Sequence, residues 1–450
     1  MTMSIQLFTK LTLKFTKPSW DINPELSLID TILEARPDLY LILKEDIVGF
    51  EKLNQFGRQD TPTVEQVVRA AIFKEIKGLN YRDLEFAQVD SRICEHFLGV
   101  DPLRPYSFQV WHKYISRIKA SSLSKLLIEL NKVAITEGFE DVSKLVQDST
   151  VIETNIHYPT NNSLVWDCIK ESHRLLETLK KELPDLEFKD YRKGAKKTYF
   201  KINNTKGTDK REKLFKKQIN TFTHVLCQFS NAIKKKSENL TVLEIQTSME
   251  CLLPVMEQVY EMTYKKEVMG MKLENEEKIF SIYEQHTDII VKGSRDVAFG
   301  HKVNLAGGKS RLILDCEILR GNPQDTTLFK DCLGRVIDNF GIEPRDSAAD
   351  GGYASKANIE AAKTLGVVNI VFNKAKGTMQ NVVSSKNINT RLKKWRSNAE
   401  SMISNLKRGF NIARCVWKGW EHYCAKVLWS VIGYNIRVMA NLAIARMLTL

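Results

Sequence analysis

Residues 391–410 read RLKKWRSNAESMISNLKRGF. At roughly 100° per residue, Leu392, Trp395, Ala399, Met402, Leu406 and Phe410 fall on one stripe of a helix, the face that turns towards a core. Ser397, Asn398, Ser401, Ser404 and Asn405 take the opposite side. Arg396, Glu400 and Lys407 share one flank at the edge of the apolar stripe, so Glu400 is half-sheltered between two cations. Taken alone, that flank is a surface cluster of i, i+4 ion pairs. Its meaning depends on what the rest of the chain brings to it.

Working back towards the N-terminus, strand and helix patterns alternate. VVNIVFN (367–373) reads as a strand, SKANIEAAKTLG (355–366) as a helix, RDSAAD (345–350) as a short strand closed by a GGY turn, and TTLFKDCLGRVIDNFG (326–341) as an amphipathic helix. KIFSIYEQHTDIIV (278–291) and VNLAGGKSRLILDCEILRG (303–321) read as strands, with a hairpin around Gly307-Gly308. KLVQDSTVIETNIHYPTN (144–161) is rich in β-branched residues and ends at Pro159. Strand–helix alternation favours parallel pairing and the hairpin an antiparallel portion. The expectation is an α/β (mixed α+β) fold: a mixed five-stranded sheet flanked by helices.

Two helical regions interrupt or precede that sheet. Residues 163–277 form a basic helical insertion containing YRKGAKKTYFK (191–201), NTKGTDKREKLFKK (204–217) and AIKKKSENL (232–240). Such lysine runs are either a solvated face or, interleaved with Tyr191, Tyr199 and Phe200, a track for a phosphate backbone. Residues 1 to about 60 read as a mixed, partly extended leader. Helices are expected over 61–79, over 80–99 with Asn80 as cap and Gly99 as stop, and as one long element over 107–137, basic through Lys113, Arg117, Lys119 and Lys125. Consecutive helices of this kind make either a helix-turn-helix DNA reader or a helical bundle. The expected divisions are 1–140 N-terminal and mainly helical, 141–162 the first part of the sheet domain, 163–277 the insertion and 278–450 the remainder.

The 450 residues carry a formal charge of +13 with a pI near 9.1. That excess implies a polyanionic partner, nucleic acid first and an anionic membrane surface second. Eight cysteines without a CxxC pair or zinc-ligand spacing are expected to be reduced, mostly buried thiols in a cytosolic compartment. The N-terminus lacks the apolar core and cleavage site of a signal peptide. No apolar run is expected to span a membrane, the longest near the C-terminus, 427–436, being interrupted by Ser, Gly, Tyr and Asn.

Three acids stand out. Asp148 lies inside a strand, where an unpaired acid is costly to bury. Asp350 ends a strand and is followed by Gly351 and Gly352, which let another backbone approach. Glu400 lies on the late helix. Three carboxylates with open positions suit a pair of Mg²⁺ ions and phosphodiester chemistry. Plainer readings stand beside this one: Asp148 as a locally bonded acid before Ser-Thr, Asp350 as part of a turn. Asp288, Asp296, Asp315, Asp325 and Asp346 compete on spacing alone. His157 and His301 are expected to be structural.

The set DSTVIETNIHYPT (148–160), FGHKVNL (299–305), GNPQD (321–325), ADGGYAS (349–355), WRSNAESMISNLKRGF (395–410) and RCVWKGWEHY (414–423) resembles the DDE transposases of bacterial insertion sequences, nearest the ISNCY-like group. In the wider class the late helix carries Tyr-x2-Arg-x3-Glu-x6-Lys. Arg396, Glu400 and Lys407 match it, whereas the Tyr position holds Lys393, with Trp395 the nearby aromatic. The resemblance runs from about residue 62 to 440. It implies an RNase H-like catalytic core with an all-helical insertion, a catalytic and metal-binding triad of Asp148, Asp350 and Glu400, and two Mg²⁺ ions, with Mn²⁺ able to substitute. The gap between the two aspartates, 350 − 148 = 202 residues, is what an insertion between the first two strands produces. It further implies double-stranded DNA as partner (terminal inverted repeats and target), a homodimer or higher oligomer on DNA, no membrane and a bacterial cytoplasmic location. Arg396 and Lys407 would hold phosphates or orient Glu400. Lys393, Lys113, Arg117, Lys196 and Lys197 are further candidates for DNA contact.

Overall fold

The computed structural model describes residues 23–49, 61–292, 296–373 and 380–449. They form two compact units: one runs up to Glu153 and resumes at Gly300, the other is Thr154–Phe299.

The first unit begins with helices α1 (Pro24–Ala35) and α2 (Asp38–Val48), where a mixed, partly extended leader was expected. Asn23 caps α1 by accepting the Leu26 N–H at 3.2 Å, Pro24 starts it, and Leu26, Ile29 and Leu33 are buried. Pro at the first helical position loses no hydrogen bond, because that N–H has no partner within the helix. The expectation of no signal peptide falls on residues outside those described. Helix α3 (Val64–Lys77) opens with a Thr63/Gln66 capping box and stops at left-handed Gly78. The element expected over 80–99 is two helices, α4 (Tyr81–Asp90) and α5 (Arg92–Leu98), because Ser91 turns extended and accepts the Cys94 N–H. The element expected over 107–137 is likewise two, α6 (Phe108–Ile115) and α7 (Ala120–Thr136); Lys119 is extended and gives its N–H to Asp46 at 3.0 Å.

The sheet follows the expected order. β1 (Lys144–Thr154), β2 (Asp288–Lys292), β3 (Asp296–Gly307), β4 (Ile313–Ile318), β5 (Asp346–Asp350), β6 (Asn369–Asn373) and β7 (Arg414–Cys415) form one mixed sheet. Five strands lie in the order β4-β3-β1-β5-β6, antiparallel from β4 to β1 and parallel from β1 to β6. That is the order and direction of an RNase H-like core. Of the strand read over 278–291 only the end is extended, as β2, and the short β7 lies outside the strands expected. Helices α12 (Asp325–Phe340) and α13 (Lys356–Thr364) make the crossovers. The single late helix read over 391–410 is broken at Arg396 into α14 (Lys386–Trp395) and α15 (Ser397–Gly409), with Leu392, Ala399, Met402, Leu406 and Phe410 buried as the stripe requires.

The last helix, α16 (Trp420–Thr449), corrects the reading of the C-terminus. By length and composition it is apolar enough to cross a membrane, and 67 % of its most apolar window is buried inside the protein. It packs against α1, α3, α7 and β4, the environment of a core helix.

The second unit holds helices α8 (Asn161–Glu182), α9 (Arg192–Asn204), α10 (Thr208–Ile233) and α11 (Leu240–Glu267) around its own core, which includes Leu164, Leu176, Phe222, Phe229 and Met256.

Candidate active site

Parallel pairing of β1 with β5 brings the two aspartates together. Gln147 lies opposite Ala349, one residue before each acid, so Asp148 and Asp350 leave adjacent strands side by side. Asp350 is the last residue of β5, and the Gly351–Tyr353 turn follows it. The third acid arrives from the other side of the chain. Glu400 stands in the first turn of α15, and α15 is seated on the sheet by Met402, which covers Gly307; a Cβ there would come within 2.7 Å of the Met402 sulfur. Lys407, two turns further on, donates to the Val151 carbonyl of β1 at 2.7 Å.

One guanidinium touches all three acids. Arg396 Nη2 donates to Asp148 Oδ2 at 2.9 Å and lies 3.7 Å from Asp350 Oδ1, while Nη1 reaches Glu400 Oε1 at 2.5 Å. Arg396 is able to do this because it sits at the break between α14 and α15, where its side chain is 9 % exposed. The acids grade outward from 15 % exposure at Asp148 through 44 % at Asp350 to 65 % at Glu400. Burial pushes the Asp148 carboxyl up to about 6, with Asp350 and Asp325 adding to the rise and the Arg396 charge and the Ser149 N–H opposing it. A carboxylate taken out of water needs a cation beside it to stay charged, and Arg396 is that cation.

Of the competing acids, Asp325 is the one the fold brings close. At the start of α12 it accepts the Ser149 hydroxyl and the Lys302 ammonium, each at 3.0 Å, and it lies against Gly352, where a Cβ would meet its Oδ2 at 2.9 Å. Lys302 also donates to the Pro323 carbonyl at 2.7 Å, so FGHKVNL and GNPQD meet beside the acid of DSTVIETNIHYPT. Asp346 pairs instead with Arg345 and Asn369, and Asp315 with Arg335. Asp288 is on β2 and Asp296 opens β3. Sequence reasoning missed Tyr353, buried with its hydroxyl donating to Asn304 at 2.7 Å; burial first, then Asp325 and Asp148, drive its pKa upward. Its place in ADGGYAS was the available signal.

The other candidates lie elsewhere. Lys393 is exposed in the last turn of α14. Lys113 and Arg117 lie over the Tyr114 ring at 5.3 and 5.4 Å, and Lys196 and Lys197 are exposed on α9 in the second unit. His301 is buried, edge-on to Trp420 and Tyr423 at 4.7 and 4.9 Å, and His157 lies 3.3 Å from Asp167.

Among the described residues no three His, Cys, Asp or Glu side chains stand close enough together to hold a metal ion as they are. At Asp148, Asp350 and Glu400 the space between the carboxylates is taken by Arg396. The donor chemistry nevertheless fits a hard divalent cation: the ligands are all oxygens, and a positive charge already lies among them. Comparisons with curated proteins and with solved structures return no match. Residues 292–436, a stretch that starts after Asp148 and includes Asp350, Arg396, Glu400 and Lys407, match the family described as the transposase DDE domain, and this match to about a third of the chain supports a transposase-type function.

Proposed function

We propose that the chain is the transposase of an insertion sequence: it binds the element's terminal inverted repeats, hydrolyses the phosphodiester bond at each end and joins the freed 3′-hydroxyls to target DNA. The observation that supports this is the meeting of three carboxylates, from β1, β5 and α15, on one guanidinium.

Asp148, Asp350 and Glu400 are the residues that would hold two Mg²⁺ ions, or Mn²⁺ in their place. Such ions, when bound, lower the pKa of an attacking water and offset charge on the leaving oxygen. The chain's own groups do the rest. β1 and the Ser149 N–H, 2.9 Å from Asp148 Oδ1, fix the direction of that carboxylate. Lys407 ties α15 to β1 and so holds Glu400 in line with it. Arg396 carries a permanent charge and a planar fork of donors suited to a phosphate of the cut strand. With such ions supplying the activation of water for hydrolysis, and a 3′-hydroxyl attacking in the joining step, no Ser, Cys or His of the chain would be required as nucleophile. Helices α3 to α7, with Lys113 and Arg117, and the basic insertion, with Lys196 and Lys197, would supply contacts to phosphates, as would Lys393. Bridging two ends calls for a homodimer or larger assembly on DNA.

The test is cleavage of supercoiled DNA carrying the element's ends in Mg²⁺ or Mn²⁺, comparing wild type with Glu400→Gln. Metal-dependent nicking by the wild type, joined products on longer incubation and loss of both in the variant are expected. Equal cutting by both proteins would remove Glu400 from the site. Cutting without joined products would reduce the activity to that of a nuclease.

A further inference from the structure

At the far end of α15 the first unit holds a second feature with chemistry of its own. A cavity of about 750 Å³ opens between the end of α3, the start of α4, the loop after β7 and the first turns of α16. Its size is that of a site for a small organic ligand. Its wall includes Trp417 and Lys418 of the RCVWKGWEHY stretch, which the carboxylate chemistry leaves without a role.

Three properties of the wall define what it would take. The first is charge. Glu75 is buried and accepts from both Lys74, at 2.8 Å, and Lys426. One carboxylate between two ammonium groups leaves an excess positive charge under the cavity. Lys74 is 4 % exposed, so water does little to screen it. The wall's other acid, Asp83, accepts the Asn80 N–H in the cap of α4, and Lys418 stands exposed at the rim. The second property is flatness. The Lys74 ammonium lies over the rings of both Tyr81 and Trp417, at 5.1 and 5.3 Å. The two rings are stacked at 6.2 Å and 27°, and His112 meets Tyr81 edge-on. The third is an idle donor. The Tyr81 hydroxyl is buried with no hydrogen-bond partner among the described residues, a state that costs stability unless something else accepts from it.

Aromatic planes, an unpaired hydroxyl donor and an uncompensated positive charge are together the complement of a planar, anionic, acceptor-rich molecule. We propose that this cavity binds a nucleotide, with its base against Trp417 and Tyr81 and its phosphate towards Lys418 and the Lys74–Lys426 pair. The nucleotide is either part of a DNA strand or free in solution. The assignment is independent of the carboxylate site, since none of these side chains contacts Asp148, Asp350 or Glu400.

Calorimetric titration of the full chain with dAMP, with a single-stranded octathymidylate and with inorganic phosphate tests the assignment. Trp417→Ala is expected to weaken binding about tenfold, the size of one base–aromatic stack. Tyr81→Phe keeps the ring and removes only the unpaired hydroxyl. It is expected to weaken binding several-fold while leaving the thermal midpoint unchanged or higher, and it carries the test together with Lys418→Gln should Trp417→Ala fail to fold. Weakened dAMP binding assigns the site to free nucleotide, and weakened octathymidylate binding alone assigns it to a strand; either supports the proposal. Unchanged binding of both ligands by variants that melt like the wild type would overturn it. So would inorganic phosphate binding as tightly as dAMP, because the aromatic wall would then contribute nothing.

Discussion

Arg396 is where the charge balance of the three acids is decided. Asp148 is mostly buried, and its nearest cation is this guanidinium at 2.9 Å. Replacing Arg396 by Met keeps the packing of the stem and leaves that carboxylate without its partner. A cost of about 2 kcal/mol is expected, below the range for a fully buried broken pair because Asp148 retains some exposure. A divalent ion binding the folded state restores stability by mass action. Thermal unfolding of Arg396→Met is therefore expected to show a lowered midpoint that Mn²⁺ raises more than it raises the wild-type midpoint. Equal Mn²⁺ effects on the two proteins would sink this account of the site. Half of the arrangement was legible beforehand. Helical periodicity puts Arg396 and Glu400 on one flank, and they do touch. The same periodicity is silent on Asp148, 248 positions away, and on the strand carbonyl that receives Lys407. A helical wheel gives a face but not what lies opposite it. Asp325 teaches the same point: five acids compete in the sequence, and only the meeting of β1, β3 and α12 selects the one beside Asp148.

At the scale of elements, the strands were easier to read than the helix ends. β1 announces itself by its β-branched run, and the β3–β4 hairpin by Gly307-Gly308; both are where periodicity and turn chemistry place them. The helix breaks at Ser91 and at Ser116–Lys119 carry neither Pro nor Gly. They are fixed by a serine cap and by an N–H given to Asp46, groups that an unbroken helix would accommodate equally well. The break at Arg396 coincides with its contacts to two other elements, β1 and β5. Another feature of β3 is readable only in three dimensions. Gly300 faces Glu153 in the β1–β3 ladder, and a Cβ there would fall 2.1 Å from the Ile152 carbonyl oxygen. A backbone oxygen in a central strand has little room to yield, so Gly300→Ala should force a local shift of register or a bulge. The expected cost is about 3 kcal/mol, at the high end for a single substitution. Chemical denaturation is the check; a midpoint within error of the wild type would show that β1 and β3 give way more easily than their packing implies.

At the scale of the whole first unit, the C-terminal helix joins the N-terminal helices to the edge of the sheet, and the residues that break its apolar run do the joining. Ser430 accepts from Lys426 at 3.2 Å, beside buried Glu75 on α3. Gly433 leaves space for Phe410, whose ring would lie 2.9 Å from a Cβ at that position. Tyr434 donates to the Arg311 carbonyl at 3.1 Å. Asn435, fully buried, accepts the Ile313 N–H at 2.9 Å and donates to the Ile313 carbonyl and to Asn131 of α7 at 2.8 and 2.9 Å. A single amide thus satisfies the first residue of β4 and pins α7 and α16 together. In Asn435→Leu the helix becomes more apolar, yet the Ile313 N–H and the Asn131 oxygen each lose a partner in a fully buried site. Each orphaned group costs about 1–3 kcal/mol, so a loss near 3 kcal/mol and a drop of several degrees in the thermal midpoint are expected, followed by far-UV circular dichroism. Were this helix to face lipid, the same substitution would be neutral or stabilising, since a polar amide is the costly group in hydrocarbon. An unchanged or raised midpoint would therefore overturn its assignment as the core helix of the unit. A lowered one would tie the most apolar stretch of the chain to the packing that holds β4 and, through it, the sheet bearing Asp148 and Asp350.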